Sequence, residues 1–320
     1  MNEILNKIQS FGLVPVVKID SVDDALPMAK ALIDGGLPVV EITFRTDCAR
    51  DAITAISSEF PEMLVGAGTV LNIDQARDAV AAGAKFIVSP GIDIDVVEYC
   101  LAAGVSVIPG CATATDMTAA VNAGLDTVKF FPAEQAGGVA MLKALSGPFP
   151  GLNFMPTGGI TLDNMLDYLT LPNVIAVGGS FMCPGKEITA GDFGAVTAAA
   201  RKAINTMFGF ELKHIGVNCR SNDECENGGA LLEKLFGFEQ DISEGAIFSG
   251  GRFELLRKPY LGELGHIAIG TNFFERAMDY FKRMGLTFNE AQFKPGPDGK
   301  LNAAYFSEDF FGFAFHLLRK

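Results

Sequence analysis

Eight short apolar runs recur at a nearly even pitch through the first two thirds of this 320-residue chain. They are VPVVKI (from Val14), VVEITF (Val39), VGAGTV (Val65), FIVSPG (Phe86), SVIPGC (Ser106), TVKFFP (Thr127), NFMPTG (Asn153) and VIAVGGS (Val174). Their starts lie 25, 26, 21, 20, 21, 26 and 21 residues apart. Helical segments follow them, with start residues such as Asp23, Asp47, Asn72 and Thr115, and many end at a glycine: Gly35, Gly83, Gly104 or Gly124. Near-continuous apolar strands joined by helical crossovers predict a parallel sheet covered on both faces. Eight even units favour closure into a (β/α)8 TIM barrel over residues 1–207, with an open doubly wound sheet as the alternative. Met1 to Phe11 reads as an extra helix across the bottom of that barrel.

Composition narrows the function classes. A hydrophobic share of 49% gives the chain enough apolar surface for a real core. The net charge of -13 argues against a nucleic-acid or anionic-membrane partner, either of which needs a basic face. The first twenty residues lack the apolar core of a secretory signal, and no run approaches the ~18 apolar residues of a membrane span. Six scattered cysteines without a C-x-x-C pair read as reduced thiols in a cytoplasmic protein.

The polar residues that interrupt the apolar runs sit where such a barrel carries its chemistry, at the C-terminal ends of the strands. Glu41 lies inside VVEITFR and Arg45 closes that segment; Thr69 and Pro90 end the third and fourth runs. Lys129 interrupts TVKFFP two residues before Phe131, Thr157-Gly158-Gly159 ends the seventh run, and Gly178-Gly179-Ser180 ends the eighth. A lysine among Val and Phe is either half of a structural Lys–Glu pair or a desolvated amine. Burial disfavours the ammonium form and leaves a neutral nucleophile for a carbonyl carbon. Glu41 is the matching proton shuttle or, more blandly, the counter-ion. Arg45 with Thr69 fits a carboxylate clamp, against the alternative of a surface salt bridge for Arg45. The two glycine pairs suit a phosphate cradle, in which backbone N–H groups approach an anion closely and a helix N-terminus adds its dipole.

On these residues the chain resembles the 2-keto-3-deoxy-6-phosphogluconate (KDPG) and 4-hydroxy-2-oxoglutarate (KHG) aldolase family. The matching segments are GGLPVVEITFRT, VGAGTVLN, FIVSPG, VKFFPAE, GPFPGLNFMPTGGI and VGGSFM, which together span most of residues 12–206. The resemblance implies a small (β/α)8 barrel, a homotrimer, 2-oxo acid substrates and class I chemistry that needs no cofactor. Position by position, it implies that Lys129 forms a Schiff base and that Glu41 is the general acid/base. Arg45 and Thr69 would hold the pyruvate carboxylate, and Thr157 would set stereochemical preference. Gly158, Gly159, Gly179 and Ser180 would lie near the distal phosphate, with Pro90 and Phe131 in the pocket wall. The competing class is a phosphate-binding barrel isomerase or decarboxylase that forms no imine.

From Phe208 the pattern changes. LKHIGVN recurs as LGHIAIG, placing His214 and His266 at matching positions 52 residues apart. A helical stretch ending at a glycine follows each, ALLEKLFGF and RAMDYFKRMGL, and each half closes on a similar strand, RFELLRK or AFHLLRK. Glu254 thereby aligns with His316, and residues 209–320 read as a tandem duplication. This resembles the vicinal oxygen chelate superfamily, which includes glyoxalase I, where two βαβββ modules form an α+β domain around a divalent metal. The resemblance implies ligands at His214, Glu254, His266 and His316, the last standing where the superfamily often has Glu. All three histidines of the chain fall on these positions. Imidazole with carboxylate suits Zn, Ni, Co, Mn or Fe. The other roles open to this region are a metal-free ligand-sensing module and an interface.

Overall fold

A computed structural model describes all 320 residues, which divide into two compact units, Met1–Met207 and Phe208–Lys320. No helix is long and apolar enough to cross a membrane, and none of the six cysteines is disulfide-bonded.

In the first unit the strands are β1 (Leu13–Val17), β2 (Val39–Thr43), β3 (Leu64–Gly68), β4 (Phe86–Val88), β5 (Ser106–Ile108), β6 (Gly110–Cys111), β7 (Thr127–Phe130), β8 (Asn153–Phe154) and β9 (Val177–Gly179). All pair in parallel, in the orders β5-β4-β3-β2-β1-β9 and β6-β7-β8. Parallel bridges Phe154↔Val174 and Thr157↔Gly178 tie the shorter sheet to the segment carrying β9. The last two apolar runs form less strand than their composition suggests. Pro156 has no N–H for a ladder, and Gly158 and Gly159 turn to φ 97° and 76°.

Helices alternate with these strands: α1 (Glu3–Phe11), α2 (Ala25–Asp34), α3 (Ala49–Glu59), α4 (Ile73–Ala81), α5 (Ile94–Ala102), α6 (Ala114–Asn122), α7 (Gly138–Ser146), α8 (Met165–Leu169), α9 (Gly185–Thr189) and α10 (Phe193–Phe208). Gly83, Gly104 and Gly124 each take a left-handed turn just past a helix end, the conformation that stops a helix with its last carbonyls bonded. The start of α6 is Thr113 and not Thr115. Thr113 accepts from the Asp116 amide, while the Asp116 carboxylate accepts from the Thr113 amide, which closes a capping box. α1 is capped by Asn2, whose side chain also bonds Ser106 Oγ at 2.9 Å. Since Ser106 opens β5, α1 lies at the N-terminal ends of the strands, the end away from their functional residues.

The second unit is a βαβββ unit made twice. The first half runs β10 (Glu211–Asn218), α11 (Asn222–Phe236), β11 (Gln240–Ile242), β12 (Ala246–Ser249) and β13 (Phe253–Leu256). The second runs β14 (Gly265–Thr271), α12 (Phe274–Arg283), β15 (Lys294–Pro295), β16 (Leu301–Phe310) and β17 (Phe313–Arg319). The eight strands form one sheet in the order β11-β12-β13-β10-β14-β17-β16-β15, which reads the same from either end once the halves are exchanged. The halves meet along a single antiparallel pair, β10 with β14. Within each half, first and last strands run parallel, Gly216 opposite Glu254 and Ala268 opposite His316.

Candidate functional site

In the first unit, one cavity of about 400 Å³ lies at the C-terminal ends of the strands. Its lining includes Glu41, Arg45, Thr69, Pro90, Lys129, Phe131, Thr157, Gly158, Gly159, Gly179 and Ser180. The structure therefore gathers the residues singled out from the strand ends, except Gly178, around one space. Val16 and Ile160, unremarkable in sequence, complete the wall.

Lys129 and Glu41 face each other inside it. Lys129 Nζ is 3.4 Å from Glu41 Oε1, and both side chains are almost wholly buried, at 7% and 0% exposure. Glu41 Oε2 has no protein partner, so one carboxylate oxygen is available to a bound molecule. The ammonium also stands 5.0 Å from the centroid of the Phe131 ring, which walls one side of the nitrogen. The pair is possible only because β3 carries glycine opposite. A Cβ on Gly68 would come within 2.1 Å of Glu41 Oε1. Strand pattern does not single out Gly68, because its role is to make room and not to bond.

Arg45 sits two residues beyond β2, exposed at the rim, and takes part in none of the ion pairs of this unit. The surface salt bridge is thereby removed as an account of it. Thr69, just past β3, adopts φ 57°, a left-handed backbone that a β-branched residue takes at a cost of about 1–3 kcal/mol. Such strain persists where the surroundings over-determine the position, and here it places Thr69 in the cavity wall.

Gly158, Gly159 and Gly179 of the glycine pairs also line the cavity, but the helix-dipole contribution expected there is missing. α8 opens at Met165 and the five-residue α9 at Gly185, several residues beyond each pair. Any anion would rest on backbone N–H groups of the turns themselves. Those turns are braced from a direction the sequence hides. The amides of Ala133 and Glu134 donate to the carbonyls of Thr157 and Gly158 at 2.8 and 3.1 Å, and Tyr168 Oη donates to Glu134 Oε1.

The second unit brings its four candidate ligands to one face of the sheet. Glu254 and His266 flank Gly216 across the ladders, and His214 and His316 flank Ala268. The small residues at the centre are a steric requirement: a Cβ on Gly216 would lie 2.1 Å from the His266 ring. His266 Nε2 is 2.9 Å from Glu254 Oε2 and 3.1 Å from His214 Nε2, and His214 Nε2 is 3.5 Å from Glu254 Oε2. The ligand atoms of the three histidines all fall within 4.8 Å of one another. His316 is 4% exposed, and neither of its ring nitrogens has a partner.

Burial pushes His316 down to about 3, with His266 and His214 adding to the effect, and burial also lowers His214 against the pull of Glu254. Burial works to raise the Glu254 carboxyl, but the hydrogen bond and charge of His266 hold it below its usual value. Three imidazoles thus lie close together, with the Glu254 carboxylate against two of them, His266 and His214. Tetrahedral coordination with metal–nitrogen bonds of about 2.0–2.1 Å puts neighbouring donors roughly 3.4 Å apart, close to the spacings among His214, His266 and Glu254, with His316 within 4.8 Å of the other two imidazoles.

Residues 4–199 match the family model described as KDPG and KHG aldolase. The chain is 48% identical over 207 residues to a 2-dehydro-3-deoxy-phosphogluconate aldolase of Treponema pallidum, covering 65% of this chain and 99% of that protein. It is 45% identical over 192 residues to the KHG/KDPG aldolase of Escherichia coli K12, covering 60% and 90%. Among solved structures, the KDPG aldolase of Legionella pneumophila, with pyruvate captured as a covalent carbinolamine intermediate, superposes with a TM-score of 0.61 at 39% identity over 63% of this chain and 98% of that one. The aldolase of Zymomonas mobilis ZM4 with 3-phosphoglycerate gives 0.58 at 41% over 62% and 94%. The chain belongs to the KDPG and KHG aldolase family, and its first unit is a class I aldolase.

Proposed function

We propose that the first unit cleaves 2-dehydro-3-deoxy-6-phosphogluconate to pyruvate and glyceraldehyde 3-phosphate, and 4-hydroxy-2-oxoglutarate to pyruvate and glyoxylate, with Lys129 as nucleophile and Glu41 as proton shuttle. The observation that carries this is the buried contact of Lys129 Nζ with Glu41 Oε1, at the centre of a cavity with an unpaired arginine at its rim. Glu41 takes the lysine proton, and Nζ adds to the C2 carbonyl to give a carbinolamine. Glu41 passes that proton to the carbinolamine hydroxyl, which departs as water, leaving the iminium and an ionised Glu41. Glu41 accepts the C4 hydroxyl proton, the C3–C4 bond breaks, and its electron pair moves into the iminium as an enamine while the aldehyde leaves. The protonated Glu41 returns its proton to C3, and water hydrolyses the imine to pyruvate and free Lys129. Arg45 and Thr69 hold the carboxylate, Thr157 orients the C4 substituent, and the turns at Gly158–Gly159 and Gly179–Ser180 take the phosphate. The carbinolamine of the Legionella relative and the 3-phosphoglycerate of the Zymomonas relative support the two ends of this assignment. Borohydride reduction with pyruvate, followed by digestion, should place the adduct on Lys129. No adduct would favour an isomerase or decarboxylase.

The strand pairings support closure into a (β/α)8 barrel in which β5 and β6 act as one strand. Family likeness supports a homotrimer, which sedimentation of the full chain and of residues 1–207 would test. The acidic surface and free thiols support a cytoplasmic location.

The second unit we read as a vicinal oxygen chelate module with a divalent ion on His214, Glu254, His266 and His316. Such an ion supplies Lewis-acid polarisation of an oxygen ligand. Metal analysis of wild type and of His214→Ala and His266→Ala tests this. A metal-free wild type whose melting ignores added Zn or Mn would leave a ligand-sensing module.

A further inference from the structure

Lys294 opens β15, where it is exposed and lies against two tyrosines beside the histidine cluster. Its ammonium lies 4.8 Å from the ring centroid of Tyr260 and 5.6 Å from that of Tyr305. Tyr305 is itself part of the cluster's wall, stacked on His316 at 4.4 Å with 14° between the planes and edge-on to His266 at 6.2 Å. Tyr260 is held in place from two sides, its amide donating to Asn218 Oδ1 and its hydroxyl to Gln292 Oε1. Although the chain carries 38 acidic side chains, Lys294 belongs to none of the ion pairs of this unit.

The charge balance points one way. Three neutral imidazoles and one carboxylate around a divalent ion would leave a net positive charge, and an unpaired lysine against Tyr305 adds another. The equivalent strand of the first half, β11, reads Gln240-Asp241-Ile242 and has no cation. The duplication is therefore broken on one side only, which would orient a bound molecule. The flanking surfaces are flat aromatic rings, suited to a planar guest.

We propose that Lys294, between Tyr260 and Tyr305, forms an anion subsite that orients a small planar carboxylate of the 2-oxo acid type at the cluster. This rests on the reading of the four residues as a metal site. The first unit releases a molecule of this class, so one chain would make and bind the same kind of anion.

The test uses the full-length protein loaded with Co(II), whose visible absorption reports only on the cluster, titrated with oxalate as a planar carboxylate without a ketone for Lys129. Lys294→Ala should keep the cobalt stoichiometry and weaken oxalate about 10- to 100-fold, the loss expected for one charge-assisted contact, and Lys294→Arg should recover most of it. Equal oxalate affinity in Lys294→Ala would overturn the proposal, and inorganic phosphate shifting the spectrum as well as oxalate would overturn its carboxylate specificity. No cobalt band in wild type, or one that survives His266→Ala, would instead overturn the metal reading and this proposal with it.

Discussion

The two units confine charge in opposite ways. The first buries a single amine against a single carboxylate 3.4 Å away and surrounds them with apolar wall. The second gathers three imidazoles within 4.8 Å of one another, two of which, His214 and His266, share one glutamate. A nucleophile has to shed its proton and swing toward a carbon, so it is served by one polar partner and free space. A ligand set has to hold still, so strand register over-determines it from both halves of the sheet. In the proposed roles, the reactive nitrogen and the coordinating nitrogens differ in the number of neighbours that fix them.

The largest effect should come from crossing the two. Lys129→Ala is expected to lower aldol cleavage by on the order of 10⁴-fold or more, as for loss of other covalent nucleophiles, while leaving metal uptake intact. His266→Ala should do the reverse. Parallel steady-state assays and metal analysis of both variants decide it, and a shared defect would break the comparison. Glu41→Gln keeps the shape but cannot shuttle a proton, and should cost about 10²–10⁴-fold in kcat with imine trapping by borohydride still detectable. Loss of trapping as well would recast Glu41 as the base that frees Lys129.

Steric room is the next level. Gly68→Ala and Gly216→Ala each drive a methyl group into a functional side chain, Glu41 in one unit and His266 in the other. Each should abolish its own unit's function with a stability loss of about 1–3 kcal/mol, typical of overpacking. Calorimetry alongside the two assays separates loss of fold from loss of function.

The smallest effect concerns α6, the helix that leads into the strand of Lys129. Thr113→Ala should cost about 1 kcal/mol, the usual value of an N-cap. Burial works to raise the Asp116 carboxyl, but hydrogen bonds from the Ala112 and Thr113 amides hold it below its ordinary value. The ionised, capping form is therefore favoured in the folded state. Its contribution is present above the ordinary carboxylate range and lost as pH falls through the lowered folded value, so acid should erase the difference between wild type and Asp116→Asn.

Lys129 and Glu41 were legible because a charge inside an apolar strand has few places to go. The histidines were legible because duplication repeats a rare residue at a fixed offset. Gly68 and Gly216 act through the absence of atoms, which no pattern of polarity records. The brace from Tyr168 to Glu134 spans 34 residues of sequence, and Lys294 sits in a turn-rich segment without periodicity, so only the folded backbone brings them into view. The shortened β8 and β9 reflect turn geometry overriding apolar composition.

Because β10 and β14 are the only strands joining the halves, and each half brings two of the four proposed donors, neither half alone would complete the proposed site. Coordination would then act as a rivet across the seam. Anything that pries the halves apart, whether heat, denaturant or a slipped register, would be felt first as metal loss, and a captured ion would in turn resist the prying.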